Sequence, residues 1–440
     1  MSSGHYSLYP CTKVFYSAIN YGLKMKTSTF AKVRFFLLTI SGFLLQYSSY
    51  GQTTPGEIFP SWSRGILDIH HINTGKGEAV FFIMPDGTTM LVDAGFTTRP
   101  KPRVTDQKPD ASRTPGEWIS RYVLHMMKYL PSKKLDYVLL THFDGDHIGD
   151  YYPEAKLSES GTFKLTGITE VGEYIPFKKL VDRGWPDYDF PSPLENEKMK
   201  NYRQFLKWHM GKNDAVVERF VAGQNTQFEL VNDKEKYPGF EIRNIAVNGH
   251  VWTGVGTNER NHFPDLADLE RSEYPGENMC SIAFRLSYGK FDYFNGGDLT
   301  SAEYGSWRDI ETPVGMVTGP VEVCEANHHA HFDVMDVPFL RATRPQVIIL
   351  QTWAPSHPAS IVLSRMQSAS VYPGPRDIYA TNIMEETKVV IGDALGRLKS
   401  QQGHIVIRVN PGGNDFMIYI LDDSAENYRI KAIHGPYRCK

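Results

Sequence analysis

One strand and the loop it delivers constrain this chain more than any other stretch. Leu135-Asp136-Tyr137-Val138-Leu139-Leu140 is an apolar run of strand length, and Thr141-His142-Phe143-Asp144-Gly145-Asp146-His147-Ile148-Gly149-Asp150 follows at once. His142, Asp144, Asp146 and His147 place four metal-ligand side chains within six positions. Imidazole nitrogen and carboxylate oxygen together suit zinc or manganese, and the carboxylates offset the charge of a cation. In an extended chain residues 142 and 144 point to one side while 146 and 147 lie past the turn, so one loop can feed two neighbouring metal positions. The plainer reading, a polar turn with Asp146 as the N-cap of a helix, employs one of these side chains and leaves three unexplained.

The loop resembles motif two of the metallo-β-lactamase superfamily, His-x-His-x-Asp-His, with Asp144 where the second histidine usually stands. That aspartate, followed by Ile148-Gly149, most resembles the hydrolase domain of ComEC-type DNA-uptake proteins and their free-standing secreted relatives. An oxygen ligand in place of a nitrogen makes the site harder and leaves zinc and manganese both open.

Other stretches extend the resemblance over about residues 65–421. Asp93-Ala94-Gly95 closes a strand as motif one does, which implies that Asp93 orients the motif-two loop from behind the ligands. Asn295-Gly296-Gly297-Asp298 ends a hairpin as motif four does, implying that Asp298 bridges two metals. Glu325-Ala326-Asn327-His328-His329-Ala330-His331 resembles motif five with Ala330 in place of glycine; one of His328 and His329 is the implied ligand, with His328 favoured. His250, after Asn248-Gly249, occupies roughly the place of the motif-three histidine. Ser356-His357-Pro358 resembles a ComEC-type segment that puts His357 at the edge of the site as a proton donor or phosphate contact. For Asp93 and Asp298 a turn role, and for His357 a helix-start role, remain open on the residues alone.

The resemblance implies an α/β chain with a four-layer αββα metallo-β-lactamase fold. Strands are expected at 66–72, 79–84, 89–95 and 135–140, and Thr114-Pro115-Gly116-Glu117 has capping-box spacing before a helix. Residues 151–277 are expected to form an inserted cap, because they are long for a connection and are punctuated by Pro186, Pro191 and Pro193. Within them Phe228–Val231 and Phe240–Val247 read as strands. A linker at 52–64 and a C-terminal tail at 422–440 flank the domain.

Residues 1–51 carry Lys13, Lys24, Lys26, Lys32 and Arg34, no acidic residue, and an apolar run from Phe35 to Leu45. With Ser49 and Gly51 ahead of a cut at Gln52 they read as a signal peptide, with Met25 the expected start and 1–24 an upstream extension. The expected location is therefore periplasmic or extracellular, without stable membrane association after cleavage. The mature chain keeps 42 basic against 50 acidic residues, a net of about −8 by the same count. An acidic whole argues against broad attraction to nucleic acid, which depends on Lys and Arg contacts to phosphate, and leaves a local basic pocket. Cys280, Cys324 and Cys439 have no zinc-module spacing, and Cys280 and Cys324, in strand-like runs, read as buried thiols in preference to a disulfide.

Together these imply an exported hydrolase with two divalent ions, zinc or manganese, acting through hydroxide generated at the metals. Expected metal ligands are His142, Asp144, Asp146, His147, His250, Asp298 and His328 or His329, with Asp146 and His357 in catalytic roles. The expected substrate is an anionic small molecule or an oligonucleotide, cleaved at a phosphodiester. Ester, lactone or β-lactam hydrolysis is the alternative within the superfamily, and a metal-depleted binding protein the alternative outside it.

Overall fold

The computed structural model describes residues 53–440. The signal-peptide reading of 1–51 lies outside them. Among the described residues no helix is long and apolar enough to cross a membrane.

Among the described residues seventeen strands form two sheets: β1 Leu67–His71, β2 Val80–Ile83, β3 Thr89–Val92, β4 Leu135–Leu139, β5 Phe177–Asp182, β6 Val216–Arg219, β7 Phe240–Val247, β8 His250–Trp252 and β9 Glu259–Asn261 come first in the chain. Then follow β10 Ala283–Tyr288, β11 Phe291–Asn295, β12 Val323–Glu325, β13 Val347–Leu350, β14 Asp377–Ala380, β15 His404–Val409, β16 Asp415–Leu421 and β17 Ile430–Arg438. The first sheet runs β17-β16-β15-β1-β2-β3-β4-β5-β6 and the second β14-β13-β12-β11-β10-β7-β8-β9.

The strand sequences explain the layering. In β2, Val80 and Phe82 point between the sheets while Phe81 and Ile83 point at the helices behind the first sheet. Both faces are buried, so the run is apolar throughout, and each phenylalanine contributes about 1.5–3 kcal/mol by leaving water. Ile119, Val123, Val171 and Phe205 pack from helices onto the outer face of the first sheet. Val314, Phe339, Leu340, Leu363 and Met366 do the same for the second. Helix, sheet, sheet and helix make the expected four layers.

Residues 151–277 do not stand apart as a cap. The helices Ile168–Tyr174 and Glu197–Asn213 return the chain so that β5 and β6 add in parallel to β4, and β7 to β9 extend the second sheet. Lys178 and Lys179 interrupt the apolar pattern of β5, and the Lys178 ammonium pairs with the buried carboxylate of Asp136 at 2.6 Å, which hid a core strand from its sequence. Phe228–Val231 is irregular rather than a strand, although Phe228 and Leu230 fill the space between the sheets. Residues 422–440 are likewise no loose tail: β17 pairs with β16, and the preceding linker joins it through Gly56 N donating to Ile430 O at 2.8 Å. The helix Pro115–Met126 starts after Thr114 as its Pro predicts, but the capping box is not made; Thr114 Oγ1 donates to Glu170 at 2.6 Å instead. Cys280, Cys324 and Cys439 are buried thiols.

Candidate metal centre

The loops after β3, β4, β11 and β12 meet along one edge of the two sheets. Backbone bonds lace them together: Ala94 N donates to His147 O at 2.8 Å, Ile282 N to Thr141 O at 2.9 Å, and His328 N to Gly297 O at 3.0 Å. Gly95 lets the loops touch, because a Cβ there would sit 1.7 Å from Asp146 O. Asp144 is the N-cap of the short helix Gly145–Ile148, yet its side chain makes no cap bond and stays free for other work.

Asp298 is the centre of the arrangement. Its Oδ1 lies 3.2 Å from His147 Nε2 and 3.5 Å from His329 Nε2, with Asp146 Oδ2 3.4 Å from the same His329 atom. Its Oδ2 lies 3.7 Å from His142 Nε2 and 3.9 Å from His328 Nε2, with Asp144 Oδ2 3.8 Å from that His142 atom. Each carboxylate oxygen therefore faces its own pair of histidines and its own aspartate.

The groups behind the histidines set their tautomers. His329 Nδ1 donates to the carbonyl of Gln351 at 3.0 Å, and His147 Nδ1 to Asp93 Oδ2 at 2.8 Å. Asp93 is itself fixed by Thr141, whose N–H and Oγ1 donate to its two oxygens at 2.8 and 2.6 Å. His328 Nδ1 donates to Asp333 Oδ1 at 2.9 Å, and that oxygen also meets His331 Nδ1 at 3.3 Å. His147 and His329 thus turn their Nε2 atoms toward each other at 3.3 Å, while His142 Nε2 and Asp298 Oδ1 are buried without a hydrogen-bond partner. Lone pairs converging on carboxylates fit a divalent cation, and the donor set of nitrogen and oxygen suits zinc or manganese. His147 shows the same pull on positive charge: burial opposes protonation, but Asp298 and Asp93 outweigh it and raise the imidazole well above its ordinary range. His142, with burial and His147 acting together, is pushed down to about 3.

Three expectations change. His250 does not reach the cluster: it sits on β8, three strands from β11, and its Nδ1 meets Glu259 Oε1 at 2.9 Å across the β8–β9 pair. His328 was the favoured ligand of its pair, but it is His329 that stands beside Asp146 and His147, and His328 faces the His142 side. The reason is the backbone, since His328, His329 and Ala330 all take left-handed φ, at 42°, 54° and 60°, which turns successive side chains to different sides. His357 is buried rather than at an edge, stacked on His329 with ring centroids 4.9 Å apart. Burial first, then the neighbouring histidines, hold it well below the usual imidazole range, so it is neutral near pH 7.

Further residues join the site. Glu78 is buried with Oε2 3.5 Å from His329 Nδ1, and with His147, Asp298 and His329 it forms a four-residue group able to hold a metal. Asn278 Nδ2 donates to His328 Nε2 at 3.1 Å. Glu277 Oε1 accepts from Phe143 N at 2.8 Å while Arg183, fully buried, pairs with the same carboxylate through Nε at 2.7 Å. Glu78 closes a glycine turn with no chemical pattern around it, so only the meeting of distant loops reveals it.

Residues 74–157 match the metallo-beta-lactamase superfamily model. Motif two lies inside the matched stretch. No curated protein matches the chain. Among solved structures, CmlA, a diiron beta-hydroxylase from Streptomyces venezuelae, is 11% identical with a TM-score of 0.38, covering 80% of this chain and 55% of its own. An E377D mutant of CmlA is 12% identical with a TM-score of 0.37, covering 88% of this chain and 60% of that one. Human tRNase Z, short form, is 10% identical with a TM-score of 0.29, covering 64% of this chain and 91% of that one. The chain thus spans only 55–60% of the length of the CmlA chains it matches.

Proposed function

We propose that this metallo-β-lactamase superfamily domain is an exported, binuclear phosphodiesterase of the ComEC-like kind. The observation that carries the binuclear reading is the placement of Asp298, whose two oxygens each face a separate pair of histidines. His142, Asp144 and His328 would hold one ion, Asp146, His147 and His329 the other, with Glu78 beside the second and Asp298 between them. Bound divalent ions supply Lewis acidity and lower the pKa of water.

The chain's own residues do the rest. Asp93 and the Gln351 carbonyl hold the Nδ1 protons of His147 and His329 outward, keeping both Nε2 lone pairs on the centre. Asp333 does so for His328. The Arg183–Glu277 pair grips the Phe143 N–H between His142 and Asp144, so the motif-two loop keeps its shape when charge at the centre changes. Two neighbouring cation positions favour a phosphodiester, which offers two anionic oxygens in its ground state, over a neutral ester or lactam. The basic and apolar pattern of residues 1–51 supports export.

Elemental analysis of purified protein, with turnover measured on phosphodiester, phosphomonoester, lactone and β-lactam reporters, tests the reading. Two equivalents of metal and fastest turnover on the phosphodiester are expected. One equivalent refutes the binuclear part, and faster lactone or β-lactam turnover refutes the substrate class. Intact-mass measurement of secreted protein should give a chain starting at Gln52.

A further inference from the structure

We infer that the loop at residues 98–104 is a second anion subsite, which binds a phosphate adjoining the scissile one, so that the substrate is a chain of consecutive phosphodiesters. The inference rests on the phosphodiesterase reading above and adds the substrate's length and charge to it.

Both ends of this loop are fastened to walls of the metal centre. At its start, Phe96 N donates to Gly145 O at 2.9 Å, between Asp144 and Asp146, and Asp150 N donates back to Phe96 O at 2.7 Å. Thr98 N donates to Asp150 Oδ2 at 2.9 Å, so that carboxylate is occupied by the loop itself. At its end, Thr105 N donates to Trp353 O at 2.9 Å and Val104 is buried against Trp353 and Ala354. The Trp353 ring lies 5.4 Å from that of His329 and 4.9 Å from that of His357. The span from Arg99 to Arg103 therefore arches between the motif-two loop and the segment that backs His329.

Its charge is at odds with the rest of the molecule. Arg99, Lys101 and Arg103 are exposed, and Lys76 Nζ adds a fourth cation by donating to Arg99 O at 2.9 Å. Lys101 is paired with Asp106. Arg99 and Arg103 have no side-chain ion pair or hydrogen bond among the described residues, in a chain of net charge −3. A net negative charge gives no overall attraction for a polyanion, so the local pair of unused guanidiniums on this loop is what can draw one in. Guanidinium binds phosphate through two parallel N–H bonds and stays charged at any working pH. A substrate with a single phosphate has nothing left to offer these side chains once that phosphate is at the metal centre.

The double variant Arg99→Ala/Arg103→Ala tests this. Kinetics would be measured on bis(p-nitrophenyl) phosphate, with one phosphate, and on a fluorescent single-stranded hexanucleotide. Fluorescence anisotropy would follow hexanucleotide binding to the full protein in chelator, independently of activity. We expect KM and Kd for the hexanucleotide to rise about tenfold, kcat and the constants for bis(p-nitrophenyl) phosphate to stay unchanged, and the slope of log Kd against log salt to fall by about 1.4, two single-strand phosphate contacts. Equal hexanucleotide binding by both proteins, or an equal loss on both substrates, overturns the subsite. If neither phosphodiester is turned over while hexanucleotide binding is still lost in the variant, the phosphodiesterase reading falls and the anion subsite stands.

Discussion

The two sides of Asp298 are built unequally. On the Oδ1 side His147 and His329 are sealed, with Asp146 the most exposed side chain at 19%. On the Oδ2 side His142 is sealed, but His328 is 18% exposed and Asp144 47% exposed. The supports differ in the same sense. Asp93 and the Gln351 carbonyl, both buried, lock the first pair, whereas His142 Nδ1 has only a 3.2 Å contact to Thr141 Oγ1 and His328 leans on a half-buried Asp333. A sealed side with fixed imidazoles suits an ion that stays, and an open side with an exposed carboxylate suits exchange and substrate entry. Graded chelation should accordingly remove one equivalent well before the other.

The largest effect that bears on this difference is loss of the shared residue. Asp298→Ala should reduce turnover to that of chelator-treated protein and empty both sides; retention of one full equivalent with turnover would show that Asp298 serves one side only. Next comes a paired measurement on the supports. Asp93→Asn should weaken metal affinity about 100-fold and Asp333→Asn about tenfold, the two ends of the range for groups that orient metal-binding histidines. Equal losses in a metal-competition titration would erase the proposed asymmetry.

Stability gives the third test, on the open side. Arg183→Ala strands Glu277 and should destabilise the fold by about 3–5 kcal/mol, the range for breaking a buried pair, read by denaturant unfolding. Because Glu277 holds Phe143 N, turnover should fall in this variant even at temperatures where it is fully folded.

The fourth concerns the loop that carries both motif-five histidines. Glu311 lies beneath it, accepting from Asn327 Nδ2 and Met335 N, each at 2.7 Å, and burial pushes its carboxyl up to about 8. The folded chain then holds a proton that the unfolded chain releases near its ordinary 4.5, so this contribution to stability is full below about 4.5 and is lost as pH rises toward 8. Glu311→Gln should flatten the stability profile across that window; an unchanged slope would show that Glu311 is ionised in the fold.

The smallest effect is expected at Ala330. Its left-handed backbone costs about 1–2 kcal/mol, which glycine relieves, while losing the buried methyl costs about 0.8 kcal/mol. Ala330→Gly should therefore stabilise by less than about 1 kcal/mol, and a clear destabilisation would mean that the methyl holds the loop in place.

Much of the site was legible because its ligands cluster in short motifs at strand ends. His142, Asp144, Asp146 and His147 are neighbours in the chain, and Asp93 and Asp298 each follow an apolar strand within two positions of a glycine. The strands themselves were legible where both faces are buried, as in β2 and β4, and illegible where a lysine is paired at the surface of the sheet, as in β5. The histidine of motif three had no such anchor, and position between two motifs was a poor guide to where His250 points.

The sequence by itself determined which ligand types are present and which strand ends deliver them, since apolar runs and turn residues act over a few positions. Tertiary structure decided the partition. His329 rather than His328 joins His147 because three successive left-handed residues rotate the loop, and no pattern of side chains announces that conformation. Glu78, Gln351, Asp333 and the Arg183–Glu277 pair act on ligands from loops far away in the chain. Such contacts depend on the register of two sheets packed face to face, and that register is fixed only when the apolar faces of the whole domain are buried together.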